Sequence, residues 1–249
     1  MEAGRNESSQ PIGGLLRSFY EVYGMPGEGP PTDFDLSLLD AFPVGQEDQD
    51  VLRQALDDIG LRRNYAECRD LVEEVANHMT GEALLRELTE CGPLPEEQFE
   101  HLVSGVLWFS LVSSLDRRDH DRLPVSPFAG VDLPLHVRIR LTVHGSLVLR
   151  LYLALVYIRE GDLRSVLEAA ARVRKPVASR LLKLLRCDFV RHIRNSLAHG
   201  TVRPTIAGLR FLDEGTTIVA TPAFLNHLAT WLCMAELQAA SAAARSASA

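Results

Sequence analysis

The chain has 249 residues, 46% hydrophobic and 24% charged, enough apolar material for one sizeable core or two small ones and far from the composition of a disordered polymer. Its formal charge of −7 would by itself exclude a phosphate-rich partner, but the charge is divided. Residues 1–100 hold 22 of the 33 acidic and 7 of the 26 basic residues, a net of −15, whereas residues 101–249 carry +8. A basic face acts locally, over a Debye length of about 8 Å at physiological salt, so the division weighs more than the sum. Of the basic residues only Lys175 and Lys183 are lysines; arginine suits bidentate phosphate contact, and codon usage in a GC-rich genome explains the bias equally well.

Cys68, Cys91, Cys187 and Cys233 lie far apart with no C-x-x-C pair, which suggests neither a structural zinc site nor a disulfide framework. The first ten residues have no apolar stretch of the secretory kind, and the apolar run 141–158 is interrupted by His144 and Arg150, each costly in a bilayer. The expectation is a cytoplasmic protein in which that run is a buried helix.

In chain order, a flexible segment is expected over 1–32, with one short helix at Leu15–Tyr23 ahead of the turn formers Gly24–Pro31. Apolar residues at three- and four-residue spacings from Gln49 to Leu94 predict short, acidic, amphipathic helices, an accessory region over 33–95. A helix should start at Pro93–Glu97 and run to Leu115, a loop follow over 116–131, and a long apolar helix run from Asp132 to Arg159, although 137–144 also fits the strand period. Two helical patterns come next, Leu163–Arg174 and Val177–His199, the second closed by Gly200 as a left-handed cap. Ile206–Val219, around Asp213-Glu214-Gly215, predicts a β-hairpin, and Thr221-Pro222 opens a last helix to about Gln238, before a small-residue tail expected to be disordered over 241–249.

No phosphate-binding loop, G-x-G-x-x-G or H-E-x-x-H occurs, and no metal or other cofactor is called for. The chemistry-capable residues concentrate on the Val177–His199 pattern. With Arg191 at zero on a helical wheel, Asn195, Asp188, His199 and His192 fall within about 100°, opposite an apolar face of Phe189, Val190, Ile193 and Leu197. Solvated faces normally carry Lys and Glu; two imidazoles, a guanidinium, an amide and one carboxylate can move protons and stabilise a developing anion. The plain alternative is a helix end with an ordinary charge network, in which Asp188 pairs with Arg191 or His192. His78, His101, His120, His136 and His227 have no such company, and Trp108 and Trp231 read as core anchors.

The stretch Arg194-Asn195-Ser196-Leu197-Ala198-His199, ending a long amphipathic pattern and followed at once by Gly200, resembles the signature of the HEPN superfamily (higher eukaryote and prokaryote nucleotide-binding domains). The likeness covers 96–240 and implies an all-α fold: a C-terminal helical bundle with a small hairpin near 205–219, preceded by the acidic helical region. It further implies a metal-independent endoribonuclease, a toxin or antiviral defence effector, that cleaves RNA by 2′-hydroxyl attack and leaves a 2′,3′-cyclic phosphate. Arg194, Asn195 and His199 would then be catalytic, with Arg191, His192, Asp188 and Ser196 supporting them or binding RNA. Arg194 lies about 140° from His199 on the wheel, so one helix does not aim both at one phosphate and a homodimer with a composite site is expected. An antitoxin or regulatory protein is a further expected partner, and a membrane is not. The alternative is a non-catalytic HEPN module that binds nucleotide, RNA or a protein.

Overall fold

A computed structural model describes residues 12–30, 46–78, 81–91, 147–157 and 160–247, with 97, 100 and 107 as isolated helical positions. Most of the predicted Pro93–Leu115 helix, the 116–131 loop and the first half of the 132–159 helix, including the 137–144 stretch, lie outside the described residues. The described residues are mostly helical, with one small antiparallel sheet among them. Helices α1 (Ile12–Tyr23), α2 (Gln46–Asp57), α3 (Ile59–His78) and α4 (Gly81–Thr89) are followed by a helical segment over 147–157, π-helical at Leu153–Tyr157. Then come α5 (Glu160–Arg172), α6 (Pro176–Arg186), α7 (Asp188–Ala198), strands β1 (Val202–Thr205), β2 (Gly208–Asp213) and β3 (Thr216–Ala220), and α8 (Pro222–Ala247). Among the described residues, no helix is long and apolar enough to cross a membrane.

The sequence divides near residue 95, but the packing does not. Residues from Leu15 on α1 to Ala242 on α8 join one apolar cluster. Its spine is aromatic: Phe19 stacks on Tyr23 with centroids 4.7 Å apart, Tyr23 meets Tyr65 at 4.9 Å, and Tyr65 touches Phe189 at 5.3 Å and Phe224 at 5.2 Å. One line of rings therefore ties α1, α3, α7 and α8. Their polar ends are satisfied by backbone carbonyls, Tyr20 donating to Ala207, Tyr23 to Ala55 and Tyr65 to Tyr23. Residues 12–30, expected to be flexible, are thus built into the core. Glu28, in the turn-rich stretch after α1, accepts from Thr221 Oγ1 at 2.7 Å and from the Ala223 N–H at 3.2 Å, capping α8 from across the molecule.

The acidic helices also reach the basic portion directly. Glu74 on α3 meets Arg180 at 2.5 Å, and Glu90, just past α4, meets Lys175. Glu87, buried on α4, accepts from the N–H groups of Val177 and Ala178 at 3.1 and 3.0 Å. That carboxylate supplies the cap that Lys175 does not, and Pro176 at the first position needs no partner for a missing N–H.

Three elements differ from the sequence expectation. The Val177–His199 pattern is two helices, broken where Cys187 adopts extended angles (φ −61°, ψ 133°) and Asp188 opens α7 with an acid at the positive end of its dipole. The hairpin is a three-stranded sheet ordered β1-β2-β3, because Val202–Thr205 pairs with β2 and Ile206-Ala207 form the turn between them. Pro204 sits on this edge strand, where a missing ladder N–H is tolerated. Helix α8 runs on to Ala247, beyond the expected end at Gln238 and through most of the expected disordered tail. Its alanines have the best helix propensity, and Ala239, Ala240 and Ala242 are buried.

Glycine is required at Gly208, where φ is +148° and an added Cβ would stand 2.2 Å from the Ala220 carbonyl oxygen. The β2–β3 turn, Glu214-Gly215, has positive φ at both positions, as a tight two-residue hairpin demands.

Glu236 on α8 is fully buried, and among the described residues neither of its carboxylate oxygens meets a donor. Burial pushes its pKa well above the ordinary 4.5. Below the ordinary carboxylate range the group is protonated folded or unfolded and contributes nothing differential; as pH rises through that range, the unfolded chain ionises first and the folded state loses relative stability. Glu236→Gln is therefore expected to stabilise the protein by about 1–2 kcal/mol at pH 7 to 8, and the gain should vanish near the ordinary carboxylate range. Thermal melting of both proteins across pH checks this; a gain that does not depend on pH would count against it.

Candidate functional site

The site is the polar edge of α7 and what β2 brings to it. Phe189, Val190, Ile193 and Leu197 bury the apolar face. The C-terminus is closed by a Schellman cap: Gly200 has φ +68°, its N–H reaches Leu197 O at 3.2 Å, and the Thr201 N–H reaches Ser196 O at 2.9 Å. Thr201 continues the sheet pairing, its carbonyl accepting from the Leu212 N–H at 3.2 Å and its Oγ1 donating to Leu212 O at 2.6 Å. Helix end and strand end are thereby fixed side by side.

Along β2 alternate side chains share a face, so Asp213 projects with Leu209 and Phe211, whose phase is buried. The strand delivers a carboxylate, 5% exposed, against α7. Its Oδ2 lies 2.7 Å from His192 Nδ1 and accepts from Asn195 Nδ2 at 3.1 Å. Asn195 in turn uses its Oδ1 to accept from Arg194 twice, from Nε at 3.2 Å and Nη2 at 2.8 Å. Arg191 donates to Asp188 Oδ1 at 3.2 Å, and its Nη2 stands 3.5 Å from His192 Nε2. Arg194, Asn195, Asp213, His192, Arg191 and Asp188 form one continuous polar chain around the exposed edge of the helix.

The arrangement assigns orientations that spacing alone does not. Asp188, placed to serve Arg191 or His192, pairs with Arg191. With Asp213 at Nδ1, the neutral His192 carries its proton there and presents Nε2 as a base. Asn195 holds the guanidinium of Arg194 on one side and Asp213 on the other. Ser196 is fully enclosed, and its Oγ meets no partner among the described residues, which removes it from the surface a ligand would touch in this conformation. His199 is the exposed residue at the helix C-cap (φ −91°, ψ −1°), and among the described residues no side-chain hydrogen bond joins it to the chain of contacts.

Asp213 is the residue that sequence reasoning missed. It reads as the first residue of a turn, Asp213-Glu214-Gly215. The available signal was its phase, two residues after Phe211 and four after Leu209 on the buried face of β2. Among the described residues no group of three or more His, Cys, Asp and Glu stands together as a metal cage. No protein-family model, curated protein or solved structure matches the chain.

Proposed function

We propose that the chain is a HEPN-type, metal-independent endoribonuclease, a toxin or defence effector acting in the cytoplasm as a homodimer. What carries the reading is the hydrogen-bonded relay Arg194–Asn195–Asp213–His192, with an exposed His199 at the C-cap of the same helix, because together they supply the components of ribose-assisted cleavage: a fixed cation and two imidazoles. A base removes the 2′-hydroxyl proton, the oxygen attacks the adjacent phosphorus, and an acid protonates the departing 5′-oxygen. His199 serves as one proton carrier and His192, oriented by Asp213, as the other. Arg194 stabilises the charge of the pentavalent transition state, held at the required angle by Asn195. Two copies of α7 facing across a dimer axis bring Arg194 of one to His199 of the other, and Arg191 adds phosphate contact.

The test is digestion of mixed single-stranded RNA by the purified protein in the presence of chelator, with end-group analysis. Products ending in 2′,3′-cyclic phosphate with 5′-hydroxyl partners are expected. Intact RNA that nonetheless binds the protein would replace this reading by that of a non-catalytic binding module.

A further inference from the structure

Between α3 and the α6–α7 junction lies an open cavity of about 420 Å³, within the size range of pockets that hold small organic ligands. One wall is Asn64, Glu67 and Leu71, spaced three and four apart and so on one face of α3. The other is Lys183 and Arg186 at the end of α6 and Asp188 at the start of α7. Two of these groups are engaged, Arg186 donating to Glu168 at 2.7 Å and Asp188 accepting from Arg191 at 3.2 Å. Asn64, Glu67 and Lys183 are not: among the described residues none of the three has a side-chain hydrogen bond or an ion pair. An ammonium, a carboxylate and an amide therefore face one cavity beside the partly buried Leu71.

The cavity is continuous with the polar edge of α7. Asp188 belongs to both, and its partner Arg191 stands 3.5 Å from His192 Nε2. From Asp188 to His192 is one helical turn, about 6 Å along the axis.

We propose that this cavity receives the nucleotide next to the scissile phosphate, with Lys183 on the phosphate of that nucleotide and Asn64 and Glu67 on its base; the proposal rests on the ribonuclease reading. A carboxylate only accepts hydrogen bonds, so Glu67 selects a base that turns an exocyclic amino group toward it and disfavours uracil, which has a carbonyl in that place. Asn64, both donor and acceptor, serves the adjoining position on the base edge. Lys183 is a point charge, which suits a phosphate and carries no base information. The charges of Glu67 and Asp188 cancel those of Lys183 and Arg186, so the cavity contributes base selection, while attraction of the polyanion falls to the arginines of α7. Unstacked bases of single-stranded RNA are read along their edges in this manner.

The test measures binding of the full-length protein to fluorescein-labelled decamers of adenosine, of cytidine and of uridine in which every 2′-oxygen is methylated, so that binding is read without cleavage. The adenosine and cytidine strands should bind about tenfold tighter than the uridine strand. Glu67→Gln, whose amide both donates and accepts, should reduce that ratio to about twofold or less. Lys183→Ala should weaken all three alike, roughly 3- to 10-fold, and make the dependence of log affinity on log salt shallower by about 0.7. Both side chains are exposed, so the variants should melt with the wild type. Wild-type protein that binds the three strands equally, or binds none of them, overturns the subsite whatever the variants do. A preference that survives Glu67→Gln, or a salt dependence unchanged in Lys183→Ala, overturns it as well. Digestion of unmodified RNA is the separate readout: cleavage without base selection removes the subsite and spares the ribonuclease, whereas selective binding without cleavage removes the ribonuclease and keeps the cavity as an RNA-binding site.

Discussion

RNA cleavage is expected to fall at least ~100-fold when His199 is replaced by alanine, with the fold intact, because a positioned proton carrier typically contributes about 10²–10⁴-fold. The two effects separate because of where the residue sits. His199 is exposed at the end of α7, and the turn there is held by Gly200 and Thr201 rather than by the imidazole. Substitutions at such exposed positions typically change stability by no more than about 0.5 kcal/mol. The thermal midpoint should move by no more than a few degrees, at roughly 2–4 °C per kcal/mol for a chain of this size. Arg194→Ala should be as inactive for a different reason, since it removes the cation and both donors to Asn195. Arg194→Lys keeps the charge without the planar fork and should recover little. Equal cleavage by wild type and His199→Ala would sink the mechanism.

The same two variants report on the composite site. If Arg194 of one protomer serves His199 of the other, a mixed dimer of Arg194→Ala with His199→Ala holds one complete site and one empty one. Equal mixing of the two inactive proteins, with subunit exchange, should then restore about a quarter of wild-type activity, from simple statistics of a two-fold assembly. Restoration near zero would place both residues of each site on a single chain.

How far the sequence was legible follows the range of the interactions involved. Helix faces and caps depend on residues within one turn of each other, so α2–α4, the Gly200 cap and the Thr221-Pro222 start could be read directly. The break at Cys187 could not, because apolar spacing continues from Leu181, Leu182, Leu184 and Leu185 to Phe189, Val190 and Ile193 without a gap, and no Gly or Pro marks the junction. Helix α8 was cut short because an alanine-rich end carries little hydrophobic contrast, although Ala239 and Ala242 bury well where a neighbouring helix approaches closely. Within the site, the α7 stripe was visible as a pattern on one helix. Its organising carboxylate was not, since Asp213 reaches His192 only after β2 has paired with two neighbours and turned every second side chain toward α7. A contact that requires strand register is not written in local spacing.

Asp213 therefore invites the most discriminating substitutions. Removing it, as in Asp213→Ala, leaves His192 Nδ1 and Asn195 Nδ2 without an acceptor in a place where water reaches poorly, the His192 side chain being 15% exposed. Each orphaned donor costs about 1–3 kcal/mol, so a loss of about 2–4 kcal/mol is expected. That corresponds to a fall of roughly 5–15 °C in the melting temperature. Asp213→Asn behaves differently because both donors meet the same oxygen, Oδ2. An asparagine that turns its carbonyl to that position keeps both hydrogen bonds and loses only the charge. Its stability should fall by about 0.5–1.5 kcal/mol. Its cleavage rate should fall roughly 10- to 100-fold if the carboxylate stabilises the imidazolium that forms when His192 takes a proton. Paired melting and single-turnover cleavage of the two variants separate these contributions. Full activity in Asp213→Asn would reduce the His192–Asp213 contact to a structural clamp and leave His199 and its partner-subunit counterpart to carry both proton transfers, while an Asp213→Ala protein as stable as wild type would show that the relay does not hold α7 to the sheet.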